Sequence, residues 1–456
     1  MPSLTRIGLS LLLLLSIVAC VAPEQIANLS LAPTPPMGWN SWDAYGLTID
    51  EADFKANALV LAGIKRYGWQ YAVIDEGWYM EDPFGGTPEK EKFHLDANGR
   101  LNPALNRFPD AVDGAGMKPL SDWVHAQGLK FGIHLLRGIP RQTVKAATPI
   151  AGSTYTAADA GDTADVCTWD EGNYGVRDNA AGQAWYNAMI ALYAGWGVDY
   201  LKVDCISDRP YKISEIRQIA AAIQKTGRQI VLSLSPGPTA LAHADEIGKY
   251  AQLWRISGDH WDVWSYLRKP GDEEFPMGTL QAFDRLAAWN PYIKPGNWPD
   301  EDMLPFGSLT PHPGWGEPRE SRLTHDEEQS EFTLWAIGRS PLILGANLTK
   351  LDDFTRSLIT NKDVTEMNQT ATQSRNSASH GENIRIWTAS GDHSRAYVAV
   401  FNVSDRPAEL ELDWASSSSL KDLHTVYDIW NKTQLAPKAP AQVKLRPHAC
   451  SLFRLE

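Results

Sequence analysis

At 456 residues the chain is too long for one ordinary core and suits a large domain with a smaller companion. Hydrophobic residues at 43% against 21% charged ones exclude a disordered or fibrous protein. The net charge is −13 and no Lys/Arg block stands out, which argues against a nucleic-acid partner.

The chain begins with Arg6 ahead of an apolar run over 7–19, too short to span a bilayer with ordinary flanks. This pattern predicts an export signal over residues 1–22. The run ends Ile17-Val18-Ala19-Cys20, which resembles a bacterial lipobox, with Cys20 as the lipidated first residue after cleavage. Ordinary cleavage near Ala22 is the alternative, and Pro23 disfavours it. The expected location is therefore outside the cytoplasm: periplasmic, outer-membrane lipoprotein or extracellular. Membrane contact is expected only through the N-terminal lipid.

Residues 23–34 read as a small-residue, Pro-containing tether. Over 35–369 short apolar strands alternate with helical stretches. Strands are predicted at 37–39, 71–75, 131–134, 200–204, 230–235, 253–257 and 341–344. A weaker one, seventh in barrel order, falls in 287–295. Trp185, Met189, Leu192, Tyr193 and Trp196 share one helical face. Thr324 and Glu327 form a capping box ahead of Phe332. Repeated βα units of this size predict an α/β fold, a (β/α)₈ TIM barrel. Over 370–456 the pattern changes to short strands at 383–387, 396–403, 408–412, 426–430, 441–445 and 451–455, with turn residues between. This predicts a small C-terminal antiparallel β-sandwich without chemistry of its own.

Beyond the signal only Cys167, Cys205 and Cys450 remain, scattered, and they read as neither a disulfide framework nor a metal site. No cofactor is expected, since no His/Cys cluster has ligand spacing. Nothing in the sequence bears on oligomeric state. The chain has 18 tryptophans. Most are assigned to core filling, although indole faces also pack on the C–H faces of sugars.

In a TIM barrel the carboxyl ends of the strands face the active site, and side chains alternate along a strand. In Tyr200-Leu201-Lys202-Val203-Asp204, Lys202 and Asp204 share one face and Leu201 and Val203 the other. The lysine would hold Asp204 ionised at neutral pH. A lone Asp at a strand end is usually a helix cap, but a Lys-X-Asp ending is less easily so explained. In Trp254-Arg255-Ile256-Ser257-Gly258-Asp259, Arg255 points inward and Asp259 follows the strand. Asp262, three residues on, competes with Asp259 and is read instead as a helix start. Asp75 and Glu76 end a third strand, where paired carboxylates suit sugar hydroxyls. A further acidic loop holds Asp300, Glu301 and Asp302. Two carboxylates serve glycosidic hydrolysis by retention or inversion according to their separation.

Together these segments resemble glycoside hydrolase family 27, the α-galactosidase (melibiase) family. The marks are Pro-Pro-Met-Gly-Trp-Asn-Ser-Trp at 35–42, Asp-Tyr-Leu-Lys-Val-Asp at 199–204 and Trp-Arg-Ile-Ser-Gly-Asp at 254–259. Pro-Asp-Glu-Asp-Met-Leu at 299–304, Leu-Thr-His-Asp-Glu-Glu-Gln at 323–329 and Ser-Pro-Leu-Ile-Leu-Gly at 340–345 complete the set. The resemblance implies a retaining, two-aspartate hydrolase acting on a carbohydrate. It implies that Asp204 is the nucleophile and Asp259 the general acid/base. Trp42 matches an aromatic wall, Lys202 and Arg255 match hydroxyl ligands, and Asp302 matches a pocket-lining residue.

The departures concern the sugar. Asp75-Glu76 stands where family α-galactosidases carry Asp-Asp. His134 replaces a Tyr, and an unusual Arg137-Gly138-Ile139-Pro140-Arg141 follows. Ser235 stands where the family's fifth strand ends with a Glu that contacts the 2-hydroxyl, and it resembles the N-acetylgalactosaminidase branch. A charge-assisted hydrogen bond of about 1.5–3 kcal/mol is thereby removed unless His134 or Arg137 reaches in. The larger Glu76 is expected to crowd the 4- and 6-hydroxyl side. First in order stands α-galactoside hydrolysis, with weak activity on a simple α-galactoside. The alternatives are an α-N-acetylgalactosaminide, an α-1,6-glucan or a β-L-arabinopyranoside. A non-catalytic sugar-binding lipoprotein is disfavoured because both matched aspartates are present.

Overall fold

The computed structural model describes residues 27–83, 92–266, 276–310, 316–380, 383–392, 395–414, 423–437 and 439–456. The export signal and its Cys20 lie outside them.

Eight short parallel strands form one sheet. They are β1 (Met37–Asn40), β2 (Tyr71–Ile74), β3 (Lys130–Leu136), β4 (Tyr200–Asp204), β5 (Val231–Leu234), β6 (Leu253–Arg255), β7 (Trp298–Asp300) and β8 (Leu342–Leu344). The strand order is β7-β6-β5-β4-β3-β2-β1-β8. Leu304 bridges to Leu344 in parallel and joins the two ends, so the sheet closes into a barrel. Nearly every strand residue is buried, as expected for a parallel sheet covered on both faces. Gly38 lets β1 approach β2 closely, since a Cβ there would lie 2.4 Å from the Tyr71 carbonyl oxygen.

The main helices are α1 (Glu51–Ile64), α2 (Lys118–Ala126), α3 (Ala180–Trp196), α4 (Ile213–Thr226), α5 (Thr279–Trp289) and α6 (His325–Gly338). Their starts follow local chemistry. Asp50 accepts from the Asp53 N–H, Asn179 accepts from Gly182, and Thr324 and Glu327 form the reciprocal box expected from sequence. The aromatic face of α3 is buried through Trp185, Met189, Tyr193 and Trp196, with Leu192 half-buried.

Two sequence expectations are corrected here. The seventh barrel strand is Trp298–Asp300, inside the acidic loop, and not within 287–295. That earlier segment ends α5 and turns through Asn290–Tyr292. A three-residue strand with a central proline carries too little periodicity to be seen; its pairing with β6 defines it. The second correction concerns cysteine. Cys167 and Cys205 form a disulfide across 38 residues, with Cα atoms 6.0 Å apart, and Cys450 is free and buried. The two meet because the loop after β3 returns over the end of β4, and spacing alone does not show that.

The C-terminal region pairs six strands antiparallel in the order Thr372–His380, Ile384–Ser390, Ala396–Asn402, Cys450–Leu455, Val426–Asp428, Thr433–Leu435. A second pair, Ala408–Leu412 with Ala441–Leu445, faces it over an apolar core that includes Trp414, Val400 and Phe453. Thr372–His380 and Thr433–Leu435 are additional to the strands read from sequence; their polar residues give no alternation of apolar side chains. The sandwich docks on the barrel through His448, which stacks on Trp264 at 4.3 Å, and through Phe401 against Phe283.

Candidate active site

At the carboxyl ends of the strands lies a cavity of about 720 Å³. Asp75, Glu76, Lys202, Asp204, Ser235, Arg255, Asp259 and Trp42 all line it. Sequence reasoning nominated all eight, and the barrel brings them together because each ends, or closely follows, one of β1, β2, β4, β5 and β6.

The floor is a buried ion pair. Lys202 Nζ donates to Asp75 Oδ2 at 2.8 Å, and Asn40 Nδ2 donates to the same oxygen at 2.6 Å. The Glu76 N–H donates to Asp75 Oδ1 at 2.9 Å. Burial works against the Asp75 charge, but Lys202 and then His134 outweigh it and hold the carboxyl down at about 2. Lys202 is pushed up despite its own burial, because Asp75, Asp204 and Asp302 surround it. A pair this deep is costly unless further hydrogen bonds compensate, and Asn40 and the Glu76 N–H supply two beside Lys202.

Asp204 accepts from the Cys205 N–H at 2.6 Å through Oδ1 and lies 3.3 Å from His134 Nε2 through Oδ2. Burial alone would raise its carboxyl. The His134 hydrogen bond and charge, with Lys202, more than offset that and leave it below the usual range. Asp204 is thereby kept as a carboxylate, with the electron density a nucleophile needs. His134 supports Asp204 from behind and is not among the residues lining the cavity.

Arg255 Nη2 reaches Asp302 Oδ2 at 2.6 Å, Asp259 Oδ1 at 3.4 Å and the Gly258 carbonyl at 2.8 Å. Arg255 and Asp302 are buried, whereas the Asp259 side chain is one-third exposed. Asp302 differs from its expected place. It sits beneath Arg255, accepts from the His260 N–H at 2.9 Å, and lines a small separate void of about 20 Å³. Burial pushes its carboxyl up to about 6, against the pull of Arg255.

Asp262 is also corrected: it starts no helix. Its buried carboxylate is held by Arg319 and Arg322, with Arg322 Nη2 at 3.1 Å from Oδ1 and the Arg322 N–H at 2.9 Å from Oδ2. Arg137 does not enter the cavity. Its guanidinium pairs with Asp165 and Glu215, and its Nε donates to the Cys205 carbonyl at 2.5 Å, bracing the backbone beside Asp204.

Among the residues that sequence reasoning missed, four bear most on the chemistry of the site. Thr168, Trp169 and Asp170 line the cavity from the loop that follows Cys167. The Asp170 carboxyl faces that of Glu76. Burial, then the charges of Asp170 and Asp204, push the Glu76 carboxyl well above its usual range, which favours its protonated form. Glu76 Oε1 is buried without a hydrogen-bond partner among the described residues. Asp43 is buried behind Trp42, and burial followed by the charge of Asp302 pushes it up as well. Only the Cys167–Cys205 pairing would have pointed to the loop; nothing local marks Asp43.

This arrangement of an ionised buried carboxylate, a more exposed carboxyl near an arginine, and an aromatic wall suits acid-assisted cleavage of a glycosidic bond. Comparison with known proteins agrees. Residues 34–170 and 170–370 match the family model described as alpha galactosidase A, and residues 381–455 match the alpha galactosidase C-terminal beta sandwich domain. Alpha-galactosidase A of Cellvibrio japonicus is 28% identical over 99% of this chain and 98% of its own. The alpha-galactosidase of Cyamopsis tetragonoloba is 27% identical over 94% of this chain and 88% of its own. Among solved structures, a GH27 β-L-arabinopyranosidase from Geobacillus stearothermophilus is 37% identical, with a TM-score of 0.85, covering 95% of this chain and 98% of that one.

Proposed function

This chain belongs to glycoside hydrolase family 27, the α-galactosidase family, and is a glycosidase; from that premise we propose that it removes terminal β-L-arabinopyranosyl residues with retention, and α-galactosyl residues more slowly. The observation that carries this reading is Glu76. By the family resemblance this position faces the 4- and 6-hydroxyl side of the sugar. Here the carboxyl is one methylene longer than the family's Asp, buried, and faces the carboxyl of Asp170. β-L-Arabinopyranose has the ring configuration of α-D-galactopyranose without the exocyclic hydroxymethyl group, so it leaves room for that longer side chain. The Geobacillus neighbour, a β-L-arabinopyranosidase, supports the same glycone.

In this mechanism Asp204 attacks the anomeric carbon while Asp259 protonates the departing oxygen. Asp259 then takes a proton from water, which releases the sugar from Asp204. Asp204 is suited to attack by its lowered proton affinity, and Asp259 by its greater access to solvent. We further propose export, with Cys20 as the lipid anchor; Cys20→Ala should shift the protein out of the detergent phase.

The glycone is tested by kcat/KM on p-nitrophenyl β-L-arabinopyranoside, α-galactoside and α-N-acetylgalactosaminide. One extra carbon group in a closed site is discriminated by about 10–200-fold, and the arabinopyranoside is expected to lead by that margin. Glu76→Asp should move the ratio toward the galactoside. A wild-type preference for the galactoside would overturn the reading. Ser235, Pro236 and Gly237 form a small-residue stretch of the cavity wall. That stretch favours a 2-acetamido sugar as the second reading, and the third substrate decides it.

A further inference from the structure

Exposure rises steadily through the cavity. Asp75, Glu76 and Lys202 at the floor are buried. The side chain of Asp204 is 16% exposed and that of Asp259 is 33% exposed. Trp169, lining the same cavity, is 48% exposed. The bond to be cut lies between the two aspartates, so the glycone occupies the closed end and the leaving group lies toward the open end. Trp169 therefore stands on the leaving-group side.

A half-exposed tryptophan is costly to keep in one place unless its backbone is fixed. Here it is fixed from both sides. Cys167, two residues before it, is disulfide-bonded to Cys205, the neighbour of Asp204. Asp170, directly after it, accepts from the Gly172 N–H at 2.7 Å, which ties down the chain on that side. A large, flat, apolar and pre-positioned ring at the rim of a sugar site offers a stacking face for a pyranose. A second hollow of about 760 Å³ adjoins the cavity, sharing Asp208 and Arg209 with it, and carries the exposed Leu241.

Building on the glycosidase reading of this pocket, we infer that Trp169 is a leaving-group platform that binds the first sugar of an oligosaccharide aglycone. The enzyme is then built for sugar-to-sugar linkages, with the hollow beyond Arg209 accepting longer leaving groups.

The test compares two substrates that share a glycone. One is β-L-arabinopyranosyl fluoride, whose leaving group is a single atom; the other is a disaccharide of the same sugar on glucose. Trp169→Ala should lower the disaccharide-to-fluoride ratio of kcat/KM by about tenfold, mainly through KM. Trp169→Phe should restore most of that ratio. An unchanged ratio in Trp169→Ala at wild-type melting temperature overturns the inference, as does a loss restricted to aromatic leaving groups such as p-nitrophenol. The same ratio is measured with the α-galactosyl pair. A galactose-preferring enzyme would overturn the glycone reading while leaving the Trp169 ratio to be judged by itself.

Discussion

In the C-terminal sandwich, most charged side chains stand in water, with Asp428 a buried exception. Lys444 and Glu409 pair across Ala408–Leu412 and Ala441–Leu445 at 3.1 Å, and both are more than half exposed. The strands alternate inward and outward residues, and the interior is apolar. At the carboxyl end of the barrel the reverse holds. Asp75, Glu76, Lys202, Arg255, Asp300, Glu301 and Asp302 are all buried together. Burial of so many charges stabilises nothing by itself, since desolvation offsets most of the attraction. The sandwich is organised to fold, while the barrel mouth is organised to hold particular protonation states against their solvation preference. Substitutions of charged residues should therefore cost most in the barrel, in activity or in stability, and least on the sandwich surface, by amounts that follow burial.

The largest effect is expected at Asp204. Asp204→Ala should cut kcat by on the order of 10⁴-fold or more while the melting temperature is kept. Azide should restore cleavage of an activated substrate; activity like that of the wild type would remove Asp204 from the nucleophile role.

Next comes Asp75→Asn, which removes the carboxylate that Lys202 contacts directly in the interior and should cost about 3–5 kcal/mol at neutral pH. The carboxyl of Asp75 is lowered to about 2 in the folded state. Its contribution is then complete above about pH 4, the ordinary value in the unfolded chain, and is lost as pH falls through about 2. Thermal melts should show the gap between wild type and variant narrowing over that window. A gap independent of pH would contradict the pairing.

Asp259 and Asp262 bring the comparison into a single loop. Asp259→Ala should slow poor leaving groups by about 10²–10⁴-fold and good ones far less. Asp262→Ala should instead cost about 1–3 kcal/mol of stability through the lost Arg319 and Arg322 bonds, with leaving-group dependence unchanged. Exchange of the two patterns would reassign the acid/base. The smallest effect belongs to the sandwich surface. Lys444→Ala should change stability by no more than about 1 kcal/mol, and salt should erase most of that. A larger loss there would show that the sandwich also relies on its charges.

The sequence by itself carried the alternation of strand and helix, the change of pattern near residue 370, the caps at Thr324 and Glu327, and eight of the residues that line the cavity. These were readable because each depends on local order: a period, a cap spacing, or a short motif ending a strand. Tertiary structure decided the rest. The short β7 exists only through its pairing with β6, and the disulfide exists only because two distant loops meet over the end of β4. Asp302 and Asp262 look alike as acidic loop residues, yet one lies under Arg255 and the other between two surface arginines. Trp169 and Asp170 have no local signature at all. Their place at the site depends on long-range closure of the barrel, which brings residues far apart in the chain into one cavity.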